Sequence, residues 1–528
     1  MLVNTALSIA ALGAVVLLFG AFCICFYRVA FHPLRSYPGP WLAKVSDLYG
    51  FFLAAGMNEH LDTRKAHLKY GPVMRLGPNK LVFNSAKAFH DIYNNERITK
   101  SHAYLVTRHN DGAFNLFNVI DKQQHRIRRK LIGEAVSARS MRQFEPTMVA
   151  QIDIYLRKIF ESSRSSGLEA GAVNVTDRMK RLSFDIVSRL AFGYPLDSQN
   201  NQGYGLVSKA ITSGSYLHNM ALHFPPFRYL NALMLGAIIN WGQLHDYHDL
   251  VMEMISSRLS QDKNAVHDLY SIVSDVLDTE ADEKIGSNDL WQEALFFLPA
   301  GGDTVSTALS ALFFYLSRNP ESYQKLAAEI RSTFTSGVDI QGGPKLSGCH
   351  YLRACFDEAL RMSPPISGTP WREFPTTDRG IEPLVVDGHI IPRGTQLGVS
   401  TYTLQHNEKY FPDPFAFRPE RWIPSDDVPK EEVERAQYAF AAFSLGARGC
   451  AGKTMAYLEA GLVIAKTLWY FDFERAPGKL GDVGATTPAG SNGGDEFRLY
   501  NTFTAVHYGP NLIFHPREDF CKQLFISR

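Results

Sequence analysis

One short segment near the carboxyl end constrains the fold of this chain more than any other part of its sequence. The segment Phe443–Lys453 reads FSLGARGCAGK, so that Cys450 lies among three glycines. Glycines allow the backbone to fold tightly and to aim its N–H groups at the sulfur. Residues 453–469 have helical apolar spacing, and the positive end of the predicted helix would stabilise a thiolate. The segment therefore predicts a loop that presents a metal-binding or reactive sulfur.

A lone cysteine in such a loop has two other interpretations: a small buried thiol with only a packing role, or a catalytic nucleophile. The pattern Phe-x-x-Gly-x-Arg-x-Cys-x-Gly is far more restrictive than the cysteine alone. Its fixed positions are Phe443, Gly446, Arg448, Cys450 and Gly452. The pattern resembles the haem-binding loop of the cytochromes P-450, with every fixed position present. The resemblance implies that these five residues belong to a haem b site, with Cys450 as the axial thiolate ligand of the iron and Arg448 on a haem propionate.

Two further segments resemble the arginine motifs of the same family. On a predicted helix, Glu358 and Arg361 are three residues apart and share a face, which by itself is typical of a solvated surface pair. The later segment Phe417–Trp422 reads FRPERW and resembles the second motif, with Trp422 where the family usually has Phe. The resemblance implies that Glu358, Arg361 and Arg421 form a buried structural network on the cysteine side of the haem.

A long predicted helix, from about residue 289 to 318, carries the segment PAGGDT at residues 299–304. The proline and the glycine pair weaken the helical hydrogen bonds there, and Thr304 can bond a backbone carbonyl. A kinked core helix with a chance polar pair is the simpler interpretation. However, the pattern Ala-Gly-x-Asp-Thr from Ala300 onward is similar to the family's oxygen-binding groove. It implies that Thr304 positions bound dioxygen or a water and that Asp303 relays protons toward it.

Basic residues on a predicted helix, residues 122–130, complete the expected haem site. His125 and Arg129 lie one helical turn apart. The family usually has Trp and Arg at this spacing, with His often in place of Trp, so the resemblance implies that both residues bind haem propionates. Arg372, soon after a Pro-Pro turn, is a further candidate for this role. The other basic residues of the helix are expected on a solvated face: Arg126, Arg128 and Lys130.

The N-terminus predicts a membrane anchor. Residues 1–27 contain no charged side chain, and the run Leu7–Phe26 is almost wholly apolar. Such a run reaches the roughly 20 residues that cross the hydrocarbon core of a bilayer as a helix. A cleaved signal peptide is the alternative, but the segment lacks a basic start and exceeds the usual apolar length of about 7–15 residues. Because Arg28, Arg35 and Lys44 follow the run and no Lys or Arg precedes it, the bulk of the chain is expected in the cytoplasm.

The rest of the sequence is organised as one large domain. A proline-rich linker is expected at residues 28–40, which include Tyr37-Pro38-Gly39-Pro40, and the catalytic domain at residues 41–528. Helical patterns dominate from about residue 85 to 361, with strand-like segments before and after them. The expected fold class is mainly α with a minor β part (α+β), which is the cytochrome P-450 fold behind an N-terminal transmembrane helix at residues 1–27.

Composition excludes several classes of function. The 54 basic and 53 acidic residues nearly cancel, so nothing points to nucleic acid as a partner. The six cysteines are too sparse for a disulfide framework, which favours a reducing compartment and separate roles for single thiols.

The resemblance implies a haem-thiolate monooxygenase that inserts one atom of dioxygen into a small lipophilic substrate. Electrons would come from NADPH through NADPH–cytochrome P-450 reductase, docked on a basic surface formed by Arg126, Arg128, Lys130 and Lys453. The segment Phe31–Pro40 is similar to microsomal members from filamentous fungi, which implies the endoplasmic reticulum membrane and secondary-metabolite biosynthesis. Two alternatives stay open: oxidative coupling, desaturation or ring formation without net oxygen insertion, and a non-enzymatic membrane haem sensor or electron carrier.

Overall fold

Helices make up most of the molecule. The structure, a computed structural model, describes residues 2–108, 114–164, 171–201, 204–227, 241–262, 264–272, 287–486 and 496–525. It confirms the expected fold class, mainly helical with small sheets. In chain order the α-helices are α1 Leu2–Ala30, α2 Trp41–Val45, α3 Leu48–Ala55, α4 Glu59–Tyr70, α5 Ala86–Tyr93, α6 Lys122–Ala135, α7 Ala138–Ser163, α8 Val175–Phe192, α9 Tyr204–His223, α10 Trp241–Leu259, α11 Ser287–Leu316, α12 Pro320–Thr333, α13 Pro344–Ser347, α14 His350–Met362, α15 Thr401–Gln405, α16 Lys430–Ala439, α17 Lys453–Tyr470, α18 Gly478–Asp482 and α19 Glu518–Cys521.

The strands of the described residues form small sheets. They are β1 Val73–Gly77, β2 Lys80–Phe83, β3 Thr99–Lys100, β4 Ala172–Asn174, β5 Arg372–Glu373, β6 Leu384–Val386, β7 His389–Ile391, β8 Gln396–Val399, β9 Phe471–Arg475, β10 Tyr500–Thr502, β11 Thr504–Val506 and β12 Asn511–Pro516. One sheet has five strands in the order β1-β2-β8-β5-β3, with β2 and β8 parallel. In it Lys100 of β3 lies opposite Arg372 of β5. The sheet therefore joins two basic residues that are far apart in the chain.

Close contact between α8 and α11 forms the centre of the helical core. A Cβ on Gly301 would lie 2.6 Å from a methyl carbon of Val187, and one on Gly302 would lie 2.8 Å from the ring of Phe184. The sequence predicted that this glycine pair weakens the helix, but α11 is continuous, with Pro299 inside it. The glycines instead let the two helices approach each other, and a larger residue at either position would push them apart.

The N-terminal helix α1 fits a membrane anchor. Its span Leu7–Ala30 is 24 residues long and apolar, and none of it is buried inside the protein. This length is sufficient to cross a bilayer. The helix ends at Ala30, three residues beyond the boundary expected from the sequence.

The segment that joins α1 to the domain is held against β1. The N–H of Arg75 donates to the Pro38 carbonyl at 2.7 Å, and the guanidinium of Arg75 donates to the Arg28 carbonyl at 2.8 Å. Gly39 has a φ of +153°, and a Cβ there would lie 2.3 Å from the carbonyl oxygen of Arg75. These contacts fix the proline-rich segment against the domain.

Candidate functional site

The two segments that the sequence assigned to opposite faces of a haem border one cavity. The cavity has a volume of about 1280 Å³. Ala300 and Thr304 of α11 border it, and so does Cys450 from the cysteine loop, residues 443–452. Three more predicted residues of the loop also border the cavity: Phe443, Arg448 and Gly452. The fold thus brings the oxygen-side segment and the sulfur to a common space.

Gly446 shapes the cysteine loop from outside the cavity. Its φ is +66°, and a Cβ there would lie 2.3 Å from the carbonyl oxygen of Tyr93. Its own carbonyl accepts from the Gly449 N–H at 3.0 Å, while the Cys450 N–H donates to the Phe443 carbonyl at 2.8 Å. Glycine alone combines this φ with such a close approach, so the loop can close tightly and end at the sulfur.

The surroundings of the Cys450 sulfur combine hydrogen-bond donors with burial. The N–H groups of Gly452 and Lys453, at the start of α17, donate to the sulfur. Although Cys450 is exposed where it borders the cavity, burial by the surrounding protein outweighs these donors and the charge of Arg129, and it raises the pKa of the thiol. A metal cation bound to the sulfur would remove that penalty, because a coordinated thiol loses its proton.

Eight basic side chains border the same cavity. Five of them act on one another through their charges and form one group: Lys100, His125, Arg129, Arg372 and Arg448. Among the cavity-lining residues that the structure describes, none is an aspartate or a glutamate. Buried cations are costly unless anions balance them. The group therefore has the composition of a binding site for a ligand with negative charges.

Backbone carbonyls orient two of these cations. Arg448 donates to the carbonyls of Val119 and Ile120, the second at 2.8 Å. Arg129 donates to the Gly449 carbonyl at 2.6 Å. A carbonyl is a dipole without net charge, so these contacts hold the side chains in place but do not neutralise them.

The pKa values of the group reflect this imbalance. Burial and the charge of Arg372 outweigh the opposite charge of Asp121, which lies outside the cavity lining, and lower the pKa of Arg448 to about 10. Burial and the charges of Arg448 and Arg129 lower the pKa of His125 to about 3. Burial, Arg372 and Arg448 also hold the pKa of Lys100 well below its usual value. Carboxylates placed among these residues would oppose the shifts, because an anion favours the charged form of each base. Haem b carries two propionates, so the residues fit haem.

Lys100 is a member of this group that the sequence did not indicate. Its side chain is buried, and its ammonium donates to the Phe117 carbonyl. Lys100 comes to lie beside Arg372 through the pairing of β3 with β5. No local motif marks such a residue, because its position depends on two strands that are distant in the chain.

Thr304 and Asp303 of α11 face different surroundings. Thr304 borders the cavity, and its hydroxyl donates to the Ala300 carbonyl at 2.6 Å. Asp303 does not border the cavity; its carboxylate lies 3.9 Å from the ammonium of Lys180 on α8, and the residue is 7% exposed. Burial outweighs the charge of Lys180 and raises the pKa of Asp303. The fold thus adds Lys180, which the sequence did not indicate, to the expected polar pair.

A second group of buried charges is balanced within the chain. Glu358 accepts from the Arg361 guanidinium at 2.8 and 2.9 Å and from Nε of Arg421 at 3.0 Å. All three residues are buried, Glu358 and Arg361 completely. Although burial acts to raise the pKa of Glu358, the two arginines hold it below its usual value. The structure thus brings together the three residues that the sequence grouped.

Two further residues join this network. The indole N–H of Trp422 donates to Glu358 at 3.0 Å, so the departure from the family's usual Phe adds a hydrogen bond. The side-chain amide of Gln405 donates to the Arg361 carbonyl at 2.9 Å, and its oxygen accepts from the Ala441 N–H at 2.9 Å. Gln405 therefore ties the network to the segment that enters the cysteine loop. Trp422 was visible in the sequence as an unusual residue, whereas Gln405 gave no signal.

The predicted place of Arg128 was wrong. The sequence put it on a solvated face of α6 with Arg126 and Lys130, which are indeed exposed. Arg128 is instead 7% exposed, and its guanidinium lies 3.4 Å from the carboxylate of Glu293 on α11. The same carboxylate accepts from the Leu116 N–H at 2.8 Å. Because Glu293 is itself buried while it holds this loop, it requires a cation, and Arg128 supplies it.

Comparison with known proteins shows which protein family the chain matches. A sequence model of the Cytochrome P450 family matches residues 38–482. The chain is 33% identical over 503 residues to cytochrome P450 monooxygenase AKT7 of Alternaria alternata, which covers 92% of this chain and 94% of the relative. It is 34% identical over 516 residues to cytochrome P450 monooxygenase apf7 of Gibberella fujikuroi, covering 94% and 96%. It is 32% identical over 521 residues to cytochrome P450 monooxygenase atnE of Emericella nidulans, covering 96% of each.

Proposed function

The chain belongs to the cytochrome P450 family, and from that premise we propose that it inserts one atom of dioxygen into a small lipophilic substrate with electrons from NADPH. Its relatives are monooxygenases, so the chain is an oxidoreductase, and the sensor and electron-carrier alternatives are set aside. One observation carries the finer proposal. Cys450 and Thr304 border the same cavity, and its volume of about 1280 Å³ exceeds the roughly 300–1,000 Å³ of ordinary ligand pockets.

Family membership implies a haem iron cofactor, and the residues around the cavity fit haem b. Cys450 would supply a thiolate ligand to the iron, and the propionates would be held by Lys100, His125, Arg129, Arg372 and Arg448. Haem, when bound, supplies reductive activation of dioxygen, assisted by electron donation from the thiolate. Gly452 also borders the cavity, and a Cβ there would meet no atom within 4 Å, so the space at this position is open.

Two residues of α11 would divide the handling of protons. The Thr304 hydroxyl donates its proton to the Ala300 carbonyl, which leaves its oxygen free to accept a hydrogen bond from a water in the cavity. Asp303 retains a proton more readily than an exposed aspartate, because burial raises its pKa. We assign Thr304 to ordering the oxygen side of the cavity, and Asp303, with Lys180, to supplying protons to it.

The N-terminal part supports a membrane route for the substrate. Trp41 of α2 and Phe52 of α3 are 71% and 67% exposed. The ring of Phe51 lies 6.1 Å from that of Phe224 and 4.9 Å from that of Phe227, next to the end of α9. Together with α1, such an aromatic surface suits the interfacial zone of a bilayer. We assign the protein to the endoplasmic reticulum membrane with its domain in the cytoplasm, and to secondary-metabolite biosynthesis, in keeping with its fungal relatives.

Exposed basic residues near the cysteine loop support docking of NADPH–cytochrome P450 reductase. Arg126 and Lys130 lie one turn apart on α6 and are exposed. Arg129, between them, donates to the Gly449 carbonyl, so this face of α6 adjoins the loop. Lys453, at the start of α17, is exposed as well. Arg128 is excluded from the docking surface by its burial.

Charge reversal tests this docking surface. Arg126→Glu combined with Lys130→Glu should slow reduction of the haem by the reductase at low salt and weaken the salt dependence of that rate, because charges at the rim of an interface act on association. Lys69→Glu, which changes an exposed lysine of α4, is the control and should leave the rate unchanged. Equal rates in all three proteins would exclude the surface.

Product analysis tests the reaction. Microsomes that contain the protein and the reductase should convert a lipophilic substrate, with NADPH and oxygen, to a product with one added oxygen atom. Thr304→Ala should continue to consume NADPH but form less product per NADPH, because the hydroxyl that orders the oxygen side is gone. Full coupling in that variant would contradict the assigned role. Products that have lost two hydrogen atoms would instead favour desaturation, coupling or ring formation.

A further inference from the structure

Four aromatic side chains form one wall of the cavity, here called the aromatic wall: Tyr104, Phe117, Phe296 and Phe503. Phe117 lies at its centre. Its ring stacks on that of Phe296 with centroids 5.0 Å apart and planes 19° apart. The rings of Phe503 and Tyr104 meet it almost at right angles, at 5.1 and 5.2 Å. The four residues come from separate segments of the chain, so the wall exists only in the folded protein.

Phe503 holds its place in the aromatic wall at a conformational cost. It forms the tip of the hairpin between β10 and β11, and its φ is +80°. Such a φ is rare for a bulky residue and easy for glycine. The Phe503 N–H donates to the Asn501 side chain at 3.1 Å, and the Thr502 hydroxyl donates to the Thr504 carbonyl at 2.7 Å, which together hold the turn. A strained residue that borders a cavity points to a function for its ring.

Phe117 is fixed by the loop that carries it. The preceding N–H, of Leu116, donates to the buried carboxylate of Glu293 at 2.8 Å. The ammonium of Lys100 donates to the Phe117 carbonyl and lies 3.8 Å from the centroid of its ring. The wall is therefore ordered before a ligand binds, and little binding energy is lost in arranging it.

The aromatic wall lies near the residues assigned to oxygen chemistry. Phe296 precedes Ala300 by one helical turn and Thr304 by two on α11, which is about 6 and 12 Å along the helix axis. All three residues border the cavity. Phe117, at the centre of the wall, touches Lys100, one of the cations assigned to the haem propionates. A ligand against the wall would thus lie close both to α11, through Phe296, and to Lys100.

We propose that the aromatic wall binds a flat, unsaturated part of the substrate, either an aromatic ring or a conjugated chain. The inference rests on the proposed function, because it concerns the substrate of that same site. Aromatic rings attract other π systems, in offset or edge-to-face arrangements at about 4.5–7 Å, beyond the gain from burying apolar surface. A saturated group would gain only the burial. The wall therefore discriminates by unsaturation rather than by size.

Two haem ligands of similar size test the proposal: 4-phenylimidazole and 4-cyclohexylimidazole. Each can coordinate the haem iron of the holoenzyme through a ring nitrogen, and the shift of the haem absorption band gives Kd by titration. The wild-type protein should bind the phenyl ligand more tightly. The preference is expressed as the Kd of the cyclohexyl ligand divided by the Kd of the phenyl ligand. Phe503→Leu and Phe503→Gly should lower this ratio by about two- to tenfold. Because glycine suits the φ of this turn, the second variant keeps the test valid where the first fails to fold.

Phe297→Leu is the matched control. Phe297 borders the same cavity from the next position of α11 but is not part of the aromatic wall, so its loss should leave the ratio unchanged. The same ratio in the wild-type protein and in both Phe503 variants would overturn the proposal. A wild-type protein without a haem absorption band would overturn the proposed function, and this inference with it.

Discussion

Two of the charged groups in this molecule are built in opposite ways. Glu358 meets Arg361 and Arg421 at hydrogen-bond distance, and the group is balanced within the chain. The cations that border the cavity, such as Arg372 and Arg448, have no carboxylate among the described cavity-lining residues. The first group is complete without a ligand, whereas the second requires one with negative charge. Imbalance of buried charge, more than buried charge itself, therefore marks the cofactor site.

Breaking the balanced group should have the largest effect. Glu358→Gln would leave Arg361 and Arg421 buried without a carboxylate, which should lower the free energy of unfolding by about 3–5 kcal/mol. Urea denaturation followed by circular dichroism measures the loss. Glu434→Gln, which removes a surface carboxylate 3.5 Å from Lys430, is the control and should change little. Equal losses in both variants would contradict a special role for the network.

Trp422 sharpens the comparison, because it is a neutral donor inside the balanced group. In the wild-type protein the rings of Trp422 and Phe440 have centroids 5.1 Å apart. Trp422→Phe keeps a ring at this position and removes the N–H that donates to Glu358. Loss of a hydrogen bond to a charged group should cost about 1.5–3 kcal/mol in the free energy of unfolding. Trp469→Phe is the matched control, since the indole N–H of Trp469 has no hydrogen-bond partner in the part of the chain that the structure describes. If both variants lost the same stability, indole packing rather than the N–H would be responsible.

The contrast between the two groups also separates what the sequence could predict from what it could not. The cysteine loop and the residues Glu358, Arg361 and Arg421 belong to short motifs with fixed spacing, so the resemblance named them directly. Helix α11 was predicted within a few residues because its apolar pattern and its ends are local. Lys100 and Gln405, in contrast, reach their partners through strand pairing and contacts between distant segments, which local spacing does not encode.

Arg128 shows the same limit within a single helix. The prediction placed Arg128 on one solvated face with Arg126 and Lys130, although residues two apart on a helix point to different faces. Spacing also does not say which face is buried. That depends on Glu293, a carboxylate on α11 that meets Arg128 only in the folded protein. A pattern of basic residues thus predicts a helix with basic faces, and the partner decides which of them carries a buried pair.

Removal of a charge from the unbalanced group should not lower the free energy of unfolding of the protein without haem, in contrast to Glu358→Gln. Arg372→Gln removes a cation that lowers the pKa of Lys100 and of Arg448, so the protein without haem should be no less stable than the wild type. With haem, the propionates lose a charged donor, and haem transfer to apomyoglobin should become about tenfold faster. Arg393→Gln, at an exposed arginine, should leave the transfer rate unchanged. A loss of stability like that of Glu358→Gln would remove the contrast between the groups.

The smallest expected effect is uptake of a proton at Lys100. Without haem, burial and the charges of Arg372 and Arg448 hold the pKa of Lys100 well below its usual 10.5. Propionates beside it would raise that pKa, so the complex with haem would bind a proton that the protein without haem has released. Haem affinity should therefore fall as the pH rises between the lowered and the restored pKa. The slope should stay below about tenfold per pH unit, since at most one proton is involved.

Lys100→Met tests whether Lys100 is the residue that takes up this proton, because methionine keeps a straight side chain and never carries charge. Haem transfer to apomyoglobin should be followed above about pH 8, where a histidine of ordinary pKa is neutral and His125 contributes nothing. The variant should lose haem faster than the wild type near pH 8 and show a flatter pH dependence. The two proteins should converge at higher pH, where Lys100 is neutral in both the presence and the absence of haem. Parallel pH profiles would assign the proton to another group and would leave Lys100 out of the unbalanced cations.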